Sequence, residues 1–295
     1  MDTKTLTNDP TTFSIEVMPR TAKKVDDFRR ILPKKTTVYV AHLEDTPVEE
    51  MFFTCKRLIS EGMAPMPHIP ARIIRTTGEL EDWVKEYSSL GVNQSLLLAG
   101  NGKNPKGELF NSIQMLETGI FEKHAFKKIQ IAGHPEGNKD IDKDGTLEKT
   151  INALKEKQKF ALNTKLKIGI TTQFCFDLRP VIEWLKVLER EQIDLPISLG
   201  LAGPTRLQTL IKYAIMCGVG PSISVLKKRA KDLTKLLLPF EPTEMVDALN
   251  SNKKNKLFKN VNSLHFFPLG GIEASAAFAR NMSNPLRRKN ECHNN

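Results

Sequence analysis

Seven short apolar runs in this chain end in a residue able to bind a ligand or move a proton. The runs TFSIEV, TTVYVAHL, APMPHIP, QSLLLAGN, KIQIAGHPE, LKIGITTQF and NSLHFFPL carry Glu16, His42, His68, Asn101, His134 with Glu136, Gln173 and His265 at or near their ends. A carboxylate at the end of an apolar strand is costly unless it is paired or used, and burial raises its pKa. Glu16 therefore suits a general acid poised near neutrality, with a salt bridge to a rim arginine as the structural alternative. His68 lies among Pro65, Pro67 and Pro70, which fix the backbone around it. Gly100-Asn101-Gly102 is a turn that lets backbone approach a ligand closely. The amide of Gln173 can donate and accept together, which fits recognition of a heterocycle. No Ser/His/Asp or Cys/His arrangement, no Walker or G-x-G-x-x-G loop and no metal-ligand spacing is present. Chemistry carried by an organic cofactor is the remaining expectation.

The elements that would position these residues repeat in a simple rhythm. An eighth apolar run, LPISLGL, completes the set of strands. Amphipathic stretches fall between the runs, at 22–32, 46–60, 77–90, 108–121, 145–163, 178–192, 204–217, 221–237 and 271–281. Thr46-Pro47 and Pro204-Thr205 read as helix starts, Gly91 and Gly218 as stops. The stretch between the seventh and eighth strands breaks at Pro239 and restarts near Thr243, so it holds extra helices. Buried parallel strands linked by crossover helices predict a single (β/α)8 TIM barrel over residues 12–282, with a lead-in at 1–11 and a polar tail at 283–295. Such a barrel gathers the polar strand ends at one mouth.

The 295 residues suffice for one large barrel, and no Pro/Gly/Ser-rich linker divides them. The net charge of +10 comes from lysines and arginines spread over helices with acidic residues between them. That pattern describes a basic surface able to attract an anionic small molecule, and it lacks the aromatic-interleaved patches of nucleic-acid binding. Cys55, Cys175, Cys217 and Cys292 show no C-x-x-C pairing. Without an apolar leader or a run of ~20 apolar residues, the expectation is a cytoplasmic chain with no membrane partner. Whether it forms a homo-oligomer is left open.

Assembled, these segments resemble the methylenetetrahydrofolate reductase family of FAD-dependent (β/α)8 barrels. FSIEVMPRT resembles that family's opening F-E-F-F-P-P-R-T, PMPHIPAR its P-H-L-T-C, IAGHPEGN its Y-P-E-x-H, LKEKQKFA its L-K-R-K-V-D-A-G and LHFFPLGG its last strand. ITTQFCFD is similar to I-T-Q-F-F-F-D. The resemblance implies that Glu16 is the catalytic acid, with Asn101 beside the flavin. It implies an FAD site made by His42, His68, Ala99, Gly100, Asn101, His134, Glu136, Asn138 and Lys157. A tetrahydrofolate substrate would lie against Glu16, Gln173, Leu207 and Phe267.

The chain also departs from the family pattern. Ala99-Gly100-Asn101 stands for R-G-D, Leu207 for an aromatic residue, and Gly270-Gly271 for the closing N-R. Those losses cluster where a nicotinamide would stack, so the electron donor or acceptor is left unknown. The implied activity is an oxidoreductase on CH–NH groups interconverting methylene- and methyltetrahydrofolate, tending toward oxidation of the methyl form. The alternative is a folate-dependent methyltransferase or demethylase on the same barrel without flavin redox chemistry.

Overall fold

Eight of the apolar runs become strands that present alternate residues to two different interiors. The computed structural model describes residues 13–100, 105–138, 140–217, 239–252 and 254–282. The first seven barrel strands are β1 (Phe13–Val17), β2 (Thr37–Val40), β3 (Ala64–Pro70), β4 (Gln94–Leu98), β5 (Lys128–Gly133), β6 (Lys167–Thr172) and β7 (Ile197–Ala202). A small antiparallel ribbon follows, β8 (Thr205–Arg206) with β9 (Pro239–Phe240). The last barrel strand is β10 (Val261–Phe267). All eight pair in parallel and close in the order β1-β10-β7-β6-β5-β4-β3-β2. The fold is a (β/α)8 barrel.

The helices are α1 (Pro19–Ala22), α2 (Phe28–Ile31), α3 (Val48–Ser60), α4 (Thr77–Ser89), α5 (Ser112–Glu117), α6 (Ile120–Lys123), α7 (Glu148–Ala161), α8 (Leu178–Arg190), α9 (Leu207–Met216), α10 (Thr243–Ser251) and α11 (Ile272–Met282). Their buried stripes follow helical spacing: Met51, Cys55 and Leu58 in α3, and Val181, Trp184, Leu185 and Leu188 in α8. Each such side chain contributes roughly 1.5–3 kcal/mol by leaving water. Thr76 and Asp177 cap α4 and α8 by accepting from the amides of Glu79 and Arg179.

Several boundaries differ from the sequence reading for local reasons. The helix expected over 108–121 is two helices, because Gly119 adopts a left-handed φ of 71° between them. The stretch 22–32 yields only the single turn α2, with α1 closing at its first residue. Pro47 is itself the N-cap of α3 and makes no side-chain capping bond, so Thr46 does not cap it. Thr205 is drawn into the β8–β9 ribbon, and α9 starts at Leu207. The helix expected at 221–237, Gly218, Asn101, the lead-in at 1–11 and the tail at 283–295 lie outside the described residues.

The alternation sorts side chains into a coat and a lumen. Ile15, Val38, Leu97, Ile131, Ile170, Leu199 and Phe266 face outward into the main apolar cluster beneath the helices. Inside, Tyr39, Met66 and Leu96, with Leu98 packed against them, form a separate small cluster beside the buried polar residues Ser14, Gln130, Thr171 and His265. The Tyr39 ring crosses the barrel from β2 to the opposite strand β6, where its hydroxyl lies 2.8 Å from Thr171 Oγ1. Thr171 in turn donates to Gln130 Oε1 at 3.2 Å, so the tyrosine is the donor to the threonine. Tyr39→Phe removes that donor while leaving Thr171 bonded to Gln130. The expected loss is about 0.5–1.5 kcal/mol of unfolding free energy in urea. An unchanged midpoint would show that the hydroxyl contributes nothing to holding the lumen.

Candidate active site at the barrel mouth

Glu16 is the fourth of five residues in β1, one short of its C-terminal end, and pairs in register with Tyr39 of β2. His68 of β3 and His265 of β10 converge on the same oxygen. His68 Nε2 lies 3.3 Å and His265 Nε2 3.8 Å from Glu16 Oε2. Neither Nε2 has a hydrogen-bond partner among the described residues. Tyr39 packs against both rings, at 6.1 Å from His68 and 4.2 Å from His265 between centroids. His265 is wholly buried, and its Nδ1 lies 2.9 Å from Ser14 Oγ. Phe267 stands edge-on to His265 at 4.7 Å. It links the trio to a second apolar cluster built by Phe174, Phe176, Leu207 and Leu210.

The electrostatics of the trio favour a charged carboxylate. Burial raises the Glu16 pKa, as the sequence reading expects, but the His265 ring and the two imidazole fields outweigh it and hold the carboxyl below its ordinary value. Burial pushes His68 down to about 4 despite the nearby Glu16 charge, so its ring is neutral at pH 7. Burial also raises the Tyr39 phenol, which stays protonated as a donor.

The other candidate residues have separate surroundings. His42 stacks on Trp83 at 5.4 Å, and its Nε2 lies 2.9 Å from the Thr46 carbonyl, which fixes the loop after β2. Ala99 and Gly100 form a turn tied to Arg72: the Ala99 carbonyl accepts from the Arg72 amide at 3.0 Å, and the Gly100 carbonyl from its guanidinium at 3.3 Å. Gly100 has φ 90°, a conformation that suits glycine. His134 is pushed down to about 4 by burial and by the charge of Lys157, with Asp142 opposing. Lys157, buried on α7, donates to its own helix at the Ala153 carbonyl, 3.0 Å away, and burial lowers it to about 8. Asn138 Oδ1 accepts from the Asp140 amide, and Glu136 is half-buried beside it. Gln173 Nε2 donates to the Cys217 carbonyl at 2.7 Å, anchoring the end of α9. The field of Glu16 reaches the Cys217 thiol, which places that helix end near the mouth.

The structure thus brings together Glu16, His68 and Phe267 from the expected set and adds His265; Leu207 packs in the cluster beside Phe267, Gln173 bonds the α9 end near the mouth, and His42, Ala99, Gly100, His134, Glu136, Asn138 and Lys157 have separate surroundings. Ser14 and Tyr39 were missed, having been read as ordinary strand residues. The available signal was the strand period, since Ser14 lies two residues before Glu16 on the same face. A cavity of about 580 Å³ lies elsewhere, between α5 and α7. Its charged residues Glu117, Glu156 and Lys159 are all exposed, so it lacks the convergence seen at the mouth. Among the described residues no cluster of three side chains could hold a metal ion, and no helix is long and apolar enough to cross a membrane.

No protein-family model matches the chain. Similar solved structures include a phosphoenolpyruvate phosphomutase from Streptomyces platensis subsp. rosaceus, 11% identical over 64% of this chain and 68% of that one, with a TM-score of 0.41. A phosphonopyruvate hydrolase in complex with oxalate and Mg²⁺ is 9% identical over 95% and 83%, at 0.46. A DHPS from Yersinia pestis with a pterine–sulfa conjugate is 10% identical over 98% and 99%, at 0.47. All are enzymes, and none is a flavin reductase.

These findings correct the resemblance drawn from the sequence. The methylenetetrahydrofolate reductase assignment has no family match behind it, and the similar structures belong to other reactions. The FAD cofactor, the folate substrate in both readings and the CH–NH oxidoreductase activity fall with it.

Proposed function

We propose that this chain is an enzyme of the acid–base class, with Glu16 as the proton acceptor at the barrel mouth. The observation that carries the reading is the convergence of His68 Nε2 and His265 Nε2 on Glu16 Oε2, at 3.3 and 3.8 Å. A carboxylate held below its ordinary value is a weak base, so it matches a proton that is itself acidic. Such a proton sits on nitrogen or oxygen of a polarised or positively charged group. Before the transfer the same charge stabilises positive charge developing on that group, in a site that excludes much of the water. The two imidazoles flank the carboxylate, Tyr39 closes the floor, and Phe267 offers an apolar edge to the substrate body. No step here runs through a metal, and the Mg²⁺ belongs to the phosphonopyruvate hydrolase complex.

The location of the site is testable before its substrate is known. Small polar amines, amides and carboxylic acids are titrated into the protein while ring signals of the histidines are followed by NMR. Binding at the mouth shifts His68 and His265 together and leaves Phe160, beside the α5–α7 cavity, unmoved. Ligands that move Phe160 and leave both histidines unchanged would overturn the reading.

A further inference from the structure

His265 can hold its proton on either ring nitrogen, and one neighbour decides which. Ser14 Oγ has one proton and competing acceptors: His265 Nδ1 at 2.9 Å, the Leu264 carbonyl at 3.4 Å and, as a further neighbour, the Tyr39 phenol oxygen. If the hydroxyl turned to Leu264, His265 would carry its proton on Nδ1 and aim a bare Nε2 lone pair at Glu16 Oε2, 3.8 Å away. Two electron-rich atoms would then face each other in a buried site, where repulsion is weakly screened. If the hydroxyl turns to Nδ1, it makes the shorter bond, and Nε2–H faces the carboxylate. Distance and charge choose the same arrangement. The other groups around this ring are Tyr39, His68 and Phe267, and the one proton of the Tyr39 hydroxyl goes to Thr171 Oγ1 rather than to Nδ1.

We infer that Ser14 is a positioning residue that donates to His265 Nδ1 and so fixes the imidazole as its Nε2–H tautomer, aimed at Glu16. The assignment rests on the reading of the mouth as an acid–base site and deepens it. In this tautomer Nε2 of His265 cannot accept a proton; its N–H dipole faces the carboxylate from 3.8 Å and favours its negative charge through space. The accepting role is left to Glu16 alone. No residue other than Ser14 needs to move for the proton on His265 to change sides.

Long-range nitrogen–proton correlation spectra of ¹⁵N-histidine protein at pH 7 test this directly, with His265 assigned through its contacts to Tyr39 and Phe267. The expected wild-type spectrum shows a protonated-type Nε2 and a bare-type Nδ1. Ser14→Ala should lose that preference and move the two nitrogen shifts toward each other or exchange them, while Ser14→Thr, which keeps the hydroxyl, should preserve it. A bare Nε2 in the wild type overturns the inference even if Ser14→Ala fails to fold. An unchanged spectrum in folded Ser14→Ala overturns it as well. Turnover that ignores Glu16→Gln while His265 keeps its Nε2–H form would sink the acid–base reading and still support the role of Ser14.

Discussion

Replacing Glu16 with Gln leaves the barrel folded and lowers turnover by ~10²–10⁴-fold, the usual size of a general acid–base contribution. The amide matches the carboxylate in shape and keeps contact with His68 and His265, so the change removes charge and basicity rather than packing. Its side chain is only 18% exposed, and water does not readily substitute for it. A glutamine can neither take the proton nor balance positive charge on the substrate, and both losses act in the transition state. The effect should therefore fall on kcat, with KM changed less. Glu183→Gln, on an exposed side chain of α8, serves as the control and should leave the rate unchanged. The measurement is steady-state turnover of whichever small polar compound shifts the mouth histidines. Full activity in Glu16→Gln would assign the carboxylate to structure.

Acid should weaken the fold by about 4 kcal/mol between pH 7 and pH 5. His68 and His134 both have folded values pushed from 6.5 to about 4 by burial. In the unfolded chain each binds its proton near 6.5, so between 6.5 and 4 the unfolded state holds more protons than the folded one. Stability then falls as pH drops, and the loss levels off below about 4. Each histidine contributes about 2 kcal/mol of that loss by pH 5. Glu16 acts in the same direction: its folded value lies below the ordinary one, so its contribution is lost as pH falls through that folded value. Urea unfolding at pH 7 and pH 5 measures the difference, and His68→Gln and His134→Gln should each flatten the dependence by about half. A midpoint that holds steady from pH 7 to 5 in the wild type would show that neither ring is buried in its neutral form.

The barrel was legible because its strands carry their burial in plain composition. ISLGLA and KIQIAG read as strands buried on both sides, and the stripe Val181, Trp184, Leu185 and Leu188 reads as a helix lying on them. The mouth was only partly legible. Glu16, His68 and His265 sit at strand ends, and the topology alone brings them to one point. Which of the other strand-end residues join them depends on neighbours far along the chain. Gln173 is tied to a carbonyl 44 residues later, and His42 packs on Trp83. The ionisation of Glu16 runs against the raised pKa that its sequence setting suggests, because burial and two imidazoles act in opposite directions and only the distances say which wins. The family resemblance failed for a related reason: short strand-end motifs look alike wherever a barrel exposes polar groups, and they do not fix the ligand.

The most direct test is the charge on Glu16 itself, read by infrared difference spectroscopy of wild type against Glu16→Gln in protein carrying ¹³C-labelled glutamate. At pH 7 the expected difference is an ionised carboxylate band, which gives way to a protonated carbonyl band only below the ordinary range of glutamate. A protonated Glu16 at pH 7 would contradict the proposed role, because a group that already holds its proton cannot accept one from a substrate.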